Sequence, residues 1–221
     1  MDRLGLNFNN PALLEEALTH RSYLNEHPDA SAHNERLEFL GDAVLELAST
    51  DFLYRKYPEK QEGELTSYRA ALVNTASLAA VAKTLGIGGM VRLSKGEARD
   101  NGRARENILA DSFEAIIGAL YLDQGYAAAE SFAAEHLFGT LESVIATGSH
   151  QDAKSRFQEL SQDKRGSTPS YTVLAEEGPD HARIFTVGAY IGQKKVAEGK
   201  GKSKQEAEQA AAGNALKALG W

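Results

Sequence analysis

Two stretches of the chain carry acids at spacings suited to cation chemistry. Residues 33–45 read HNERLEFLGDAVL, and on a helix turning about 100° per residue Glu35, Glu38 and Asp42 fall within about 60° of one another. The same helix carries an apolar stripe at Leu37, Leu40, Val44, Leu47 and Ala48, so the acids border a packed interior. A second stretch, NILADSFEAIIGALYLD, holds Asp111 and Glu114 at i, i+3 on a helix that is otherwise apolar nearly all round. Ile108, Leu109, Phe113, Ile116, Ile117 and Leu120 leave it little polar face, so both acids should be partly buried, where unpaired carboxylates are costly.

An acidic stripe on one helix is also what a solvated surface helix displays, and spacing alone does not bring two helices together. If the four acids converge, each pair near 4 Å repels by about 4 kcal/mol at an effective dielectric of roughly 20, so they must take up protons or share cations. Clustered hard oxygens suit magnesium, with manganese as a substitute. Magnesium takes one or two carboxylates and leaves positions for a phosphate oxygen and an attacking water, which is phosphodiester-hydrolysis chemistry. Glu46 falls on the acidic side as a solvated neighbour. His33 precedes an Asn–Glu helix start and reads as a capping or packing residue, with no second histidine at ligand spacing.

A different chemistry is written near the other end. In GKGKSKQEAEQAAA, residues 199–212, Lys200, Lys202 and Lys204 surround Ser203, and Ser203 with Glu206 has the spacing of a capping box. Lysines beside exposed helix-start amides suit a phosphate, although a well-capped surface helix carries the same residues. A phosphate-binding P-loop is excluded, because Val196 stands where its first glycine is required.

The elements that must hold these residues differ between the two parts of the chain. Asn10 and Pro11 mark a helix start, and further helices are expected at about 34–56, 65–85, 106–123 and 127–145, with a glycine-rich charged loop at 86–105. After a small polar linker at 148–151 the periodicity changes. A short helix at 154–164, strand-like runs at 171–174, 183–190 and 193–197, and an alanine-rich helix at 203–219 give an α-β-β-β-α module. The domains expected are thus a helical 1–147 and an α+β 152–221. The net charge of −7 is unevenly shared: residues 152–221 hold 11 Lys/Arg against 9 Asp/Glu, and the preceding 151 hold 13 against 22. The whole-chain acidity therefore does not exclude a polyanionic partner for the second domain. With no cysteine there is no disulfide framework, and with neither a signal-peptide pattern nor a long apolar run the chain reads as cytoplasmic, without a membrane partner.

Taken together, HNERLEFLGDAVL and ENILADSFEAIIGALYLD resemble the two catalytic segments of the ribonuclease III family. The resemblance extends to ALTHRSY at 17–23, EGELT at 62–66 and RAALV at 69–73, while the α-β-β-β-α order with the lysines around Ser203 resembles the double-stranded RNA-binding domain. It implies an all-α endonuclease domain acting as a homodimer and cutting duplex RNA to 5′-phosphate and 3′-hydroxyl ends with short 3′ overhangs, in processing of ribosomal and other precursors. It implies catalytic metal held by Glu38, Asp42, Asp111 and Glu114, supporting acids at Glu35 and Glu62, and a partner-packing aromatic at Phe39, a residue that could equally be an ordinary core phenylalanine. In the second domain it implies minor-groove contacts from Ser155, Gln158, Glu159 and Gln162 and from His181. Lys200, Lys202, Ser203 and Lys204 would clamp phosphates across the intervening groove, over about 16 base pairs. Gln205 departs from that pattern, where a lysine is usual.

Overall fold

The computed structural model describes residues 4–30, 32–99, 103–147, 153–179 and 183–221. The chain divides into two compact units, Met1–His150 and Gln151–Trp221. Among the described residues no helix is long and apolar enough to cross a membrane.

The first unit is helical. In α1 (Pro11–Ala17) the Asn10 side chain accepts the Ala12 N–H and Pro11 occupies the first turn, as the sequence predicts. Its two longest helices are α2 (Glu35–Lys56) and α5 (Arg103–Gln124), the latter starting inside what the sequence suggested was loop. The helix expected at 65–85 is instead two, α3 (Glu62–Leu72) and α4 (Thr75–Thr84). Asn74 makes the break: its Nδ2 donates to the Ala71 carbonyl at 2.9 Å while its Oδ1 accepts the Ser77 N–H at 2.9 Å, closing one helix and capping the next. The helix expected at 127–145 also divides, into α6 (Tyr126–His136) and α7 (Leu141–Thr147), around a 3-10 turn at Phe138–Thr140. There the Thr140 hydroxyl donates to the Leu137 carbonyl at 2.7 Å.

Leu45, Ala48 and Leu53 of α2 and Phe113, Ile116, Ile117 and Leu120 of α5 lie at the centre of the core. The two helices meet backbone to backbone. A Cβ on Gly41 would stand 1.8 Å from the Glu114 carbonyl oxygen, and one on Gly118 would stand 2.2 Å from the Leu37 carbonyl oxygen, so only glycine permits this approach.

The second unit follows the expected order: α8 (Ala153–Arg165), β1 (Pro169–Glu177), β2 (Ile184–Ile191), β3 (Lys194–Gly201) and α9 (Lys204–Leu219). The strands pair antiparallel in the order β1-β2-β3; β1 and β3 are longer than the apolar runs that announced them, and β2 has the expected length, displaced by one residue. Phe157 of α8, Val187 and Ala189 of β2 and Ala207, Ala211, Ala212 and Ala215 of α9 form a separate core. Two further glycines set its thickness: a Cβ on Gly199 would fall 2.1 Å from the Ala211 nitrogen, and one on Gly201 2.5 Å from the Ala207 nitrogen. The alanine face of α9 thus lies directly on β3.

Candidate metal centre and nucleic-acid interface

Glu38 of α2 and Asp111 and Glu114 of α5 each bring a carboxylate oxygen within 4.8 Å of the other two. The glycine crossing produces this, because Gly41 lies one turn after Glu38 and Gly118 one turn after Glu114, so the backbone contact carries the acids with it. Burial pushes Glu114 up to about 8, with the charges of Asp42, Asp111 and Glu38 adding to the rise. Glu38 is raised to about 7, again chiefly by burial and then by Asp111, Glu35 and Asp42. Asp111 is also raised by burial, partly offset by a backbone hydrogen bond. Among the described residues none of these carboxylates has a basic partner. A group of three half-buried, mutually repelling hard oxygens on two rigid helices fits a divalent cation.

The remaining acids take different positions. Asp42 is exposed one turn beyond Glu38, outside the tight group, yet its charge raises both glutamates. Glu35 is exposed one turn before Glu38. Its carboxylate meets the Arg21 guanidinium at 3.3 Å and lies 3.9 Å from His33 Nδ1. Glu62 stands apart at the start of α3, lining a cavity of about 450 Å³ with Tyr54, Lys60 and Arg69, and its charge is not among those acting on the trio. Glu46 is exposed, as a solvated neighbour should be. Phe39 is not a core residue: it is 82% exposed, and Leu47 at 58% and Tyr54 at 72% share its side of α2. Leu47 therefore leaves the apolar stripe to which its spacing assigned it.

In the second unit, Ser155, Gln158, Glu159 and Gln162 are exposed on one face of α8 and line a single cleft of about 710 Å³ with Asp163 and Thr168. Lys200, Lys202, Ser203 and Lys204 are exposed where β3 turns into α9. Ser203 Oγ accepts the Glu206 N–H at 3.1 Å, but Glu206 returns its bond to the Lys202 N–H at 2.8 Å, one residue before the position a capping box uses. Lys204 pairs with Glu176 of β1 at 3.4 Å and lies over the Phe185 ring, two contacts that periodicity does not reveal. His181 lies outside the described residues.

Sequence reasoning missed Gly41, Gly118, Gly199 and Gly201 as the positions that set the spacing. For Gly41 and Gly118 the available signal was a glycine inside an otherwise strong helical pattern, and for Gly199 and Gly201 glycines at the end of a strand, both of which point to close backbone approach. It also missed the contact of Arg21 with Glu35, which spans fourteen residues.

Fold and site together define a two-part protein, a helical unit with a carboxylate centre fit for a divalent cation followed by an α-β-β-β-α module with lysines exposed at a helix start. A family model described as Ribonuclease-III-like matches residues 10–141, and the Double-stranded RNA binding motif matches residues 153–219. Ribonuclease 3 of Bdellovibrio bacteriovorus is 47% identical over 97% of this chain and 92% of its own length. Ribonuclease 3 of Carboxydothermus hydrogenoformans is 47% identical over 98% of this chain and 92% of its own. Two structures of the nuclease domain of ribonuclease III from Campylobacter jejuni, one described as flexible in a region involved in dimer formation, match with a TM-score of 0.55. They are 42% and 40% identical and cover 60% and 64% of this chain and 89% and 90% of theirs. The chain belongs to the ribonuclease III family.

Proposed function

We propose that this chain is a metal-dependent endoribonuclease specific for double-stranded RNA, hydrolysing phosphodiester bonds to 5′-phosphate and 3′-hydroxyl ends with short 3′ overhangs in the maturation of ribosomal and other precursor RNAs. The observation that carries this reading is the approach of Glu38, Asp111 and Glu114 to within 4.8 Å across two helices with no basic partner among the described residues. Glu38, Asp42, Asp111 and Glu114 would hold magnesium, or manganese in its place, and a bound divalent ion supplies charge neutralisation at phosphate and a nucleophilic water near neutral pH. The carboxylates would fix the cation's place, and its charge would offset the burial and mutual repulsion that raise Glu38 and Glu114 in its absence. Glu35 and Glu62 have supporting roles.

The functional division is a nuclease domain over 1–147, a linker at 148–151 and an RNA-binding domain over 152–221. In the second domain the α8 face reads 2′-hydroxyls, His181 enters the next minor groove, and the lysines around Ser203 grip phosphates. The exposed row of Phe39, Leu47 and Tyr54 on α2 is apolar surface of the kind that another copy of the chain covers, which supports a homodimer with one acidic centre for each strand. A cytoplasmic protein without cysteine, meeting RNA and no membrane, is consistent with this role.

The test is incubation of a long RNA duplex with the chain in magnesium or in chelator, followed on a gel. Short duplex products in magnesium alone are expected; intact RNA in magnesium would leave a binding protein without chemistry.

A further inference from the structure

We infer that Arg21 is a substrate-binding residue of the nuclease domain, a guanidinium parked on Glu35 beside the carboxylate centre that transfers to an RNA phosphate when duplex arrives. The inference rests on the endonuclease reading above and adds to it a cation drawn from the domain whose net charge is acidic.

The base on which Arg21 stands is rigid. It is the first residue of a 3-10 turn, Arg21–Asn25, whose preceding residue, His20, caps the turn by accepting the Ser22 N–H on Nδ1 at 3.2 Å. The backbone around it is bonded to a second segment: the Arg92 N–H donates to the Leu18 carbonyl at 2.8 Å, the His20 N–H to the Arg92 carbonyl at 3.1 Å, and the Ser94 N–H to Ser22 Oγ at 3.1 Å. Burial lowers the His20 proton affinity, which favours the neutral ring that caps the turn.

The guanidinium itself is loosely held. The Arg21 side chain is 71% exposed and meets Glu35 through a single contact of 3.3 Å. A surface pair of this kind contributes little to stability, on the order of 0–1 kcal/mol, so nothing in the fold opposes its exchange. Glu35 in turn stands close enough to Glu38 and Asp111 for its charge to raise both. Arg21 therefore lies at the rim of the acidic centre, where a polyanion must come near carboxylates that repel it. Exchanging Glu35 for a phosphate replaces one anion by another that offers a planar fork two acceptors. A rigid base carrying a weakly paired charged end is also the arrangement that loses little entropy on binding.

Full-length chain, Arg21→Ala and Arg21→Lys are compared in steady-state cutting of a defined duplex in magnesium, and in duplex binding against salt in a Glu114→Gln background. For Arg21→Ala we expect KM to rise about five- to tenfold with kcat nearly unchanged, and the slope of log affinity on log salt to shrink by about one, the signature of one lost phosphate contact. Arg21→Lys, which keeps the charge but not the planar fork, should recover the slope but only part of KM. An unchanged slope, or a fall in kcat at constant KM, would overturn the inference and leave Arg21 as a neutraliser of Glu35. Failure of the unmodified chain to cut would instead overturn the nuclease reading itself.

Discussion

Glu114 illustrates how far a single side chain can be driven from its ordinary behaviour by its neighbours. Its carboxyl is half-buried and faces three like charges, so the folded protein holds its proton up to about pH 8, and that of Glu38 up to about pH 7. For acids whose proton affinity rises on folding, the resulting stability is complete below the unfolded value and disappears as pH climbs through the folded one. Metal-free protein should accordingly lose stability between about pH 4.5 and 8 on account of these groups, and magnesium should restore it. Thermal melts are expected to give a magnesium-induced rise in Tm that is larger at pH 8 than at pH 6; an equal rise at both would contradict the assignment. Glu114→Gln removes the charge while keeping the shape. It should raise the metal-free Tm at pH 8 by about 2–4 °C, the shift that about 1 kcal/mol gives in a domain of this size. Cutting should drop by at least about a hundredfold with duplex affinity largely kept, and parallel loss of binding would make the residue structural.

At the scale of elements, the centre depends on two glycines that carry no functional group. Gly41→Ala would put a methyl 1.8 Å from the Glu114 carbonyl oxygen, so α2 and α5 must separate or tilt. We expect a loss of about 1–3 kcal/mol in stability, the usual range for overpacking, together with loss of cutting. A fully active, equally stable Gly41→Ala would show that the helices tolerate a wider crossing. The same elements indicate what a sequence makes legible. The acidic stripe on α2, the pair on α5 and the α-β-β-β-α order were readable because each follows from a single element's period. The breaks at Asn74 and at Phe138–Thr140 were not, because one polar side chain that turns back on its own backbone outweighs a continuing apolar period. Leu47 was misassigned for a related reason: its spacing suits the core, but whether a helix face is covered depends on what packs against it. The exact grouping of the trio, with Asp42 at its edge and Glu62 elsewhere, is a property of a crossing angle that no linear pattern encodes.

For the molecule as a whole, acidic and basic tasks are kept on separate units. Residues 1–151 carry the excess of acid, with 13 Lys/Arg against 22 Asp/Glu, while residues 152–221 are slightly basic and present Lys200, Lys202 and Lys204 where β3 turns into α9. Deleting residues 152–221 should weaken duplex binding and flatten its dependence on salt, because the cations that displace phosphate counterions are lost with the module and what remains is the part that repels phosphate. Slow cutting should survive at low salt, measurable with the same duplex; unchanged affinity at moderate salt would contradict the division. The glycine seam between α2 and α5 has one more effect. Where main chains already touch, the gap between opposing acids behaves as a fixed caliper, unable to open for a larger ion or close on a smaller one by repacking nearby leucines. Any drift in ion preference along this lineage would have to come from the length of the arms, Glu exchanged for Asp or the reverse, while the frame that carries them stays put.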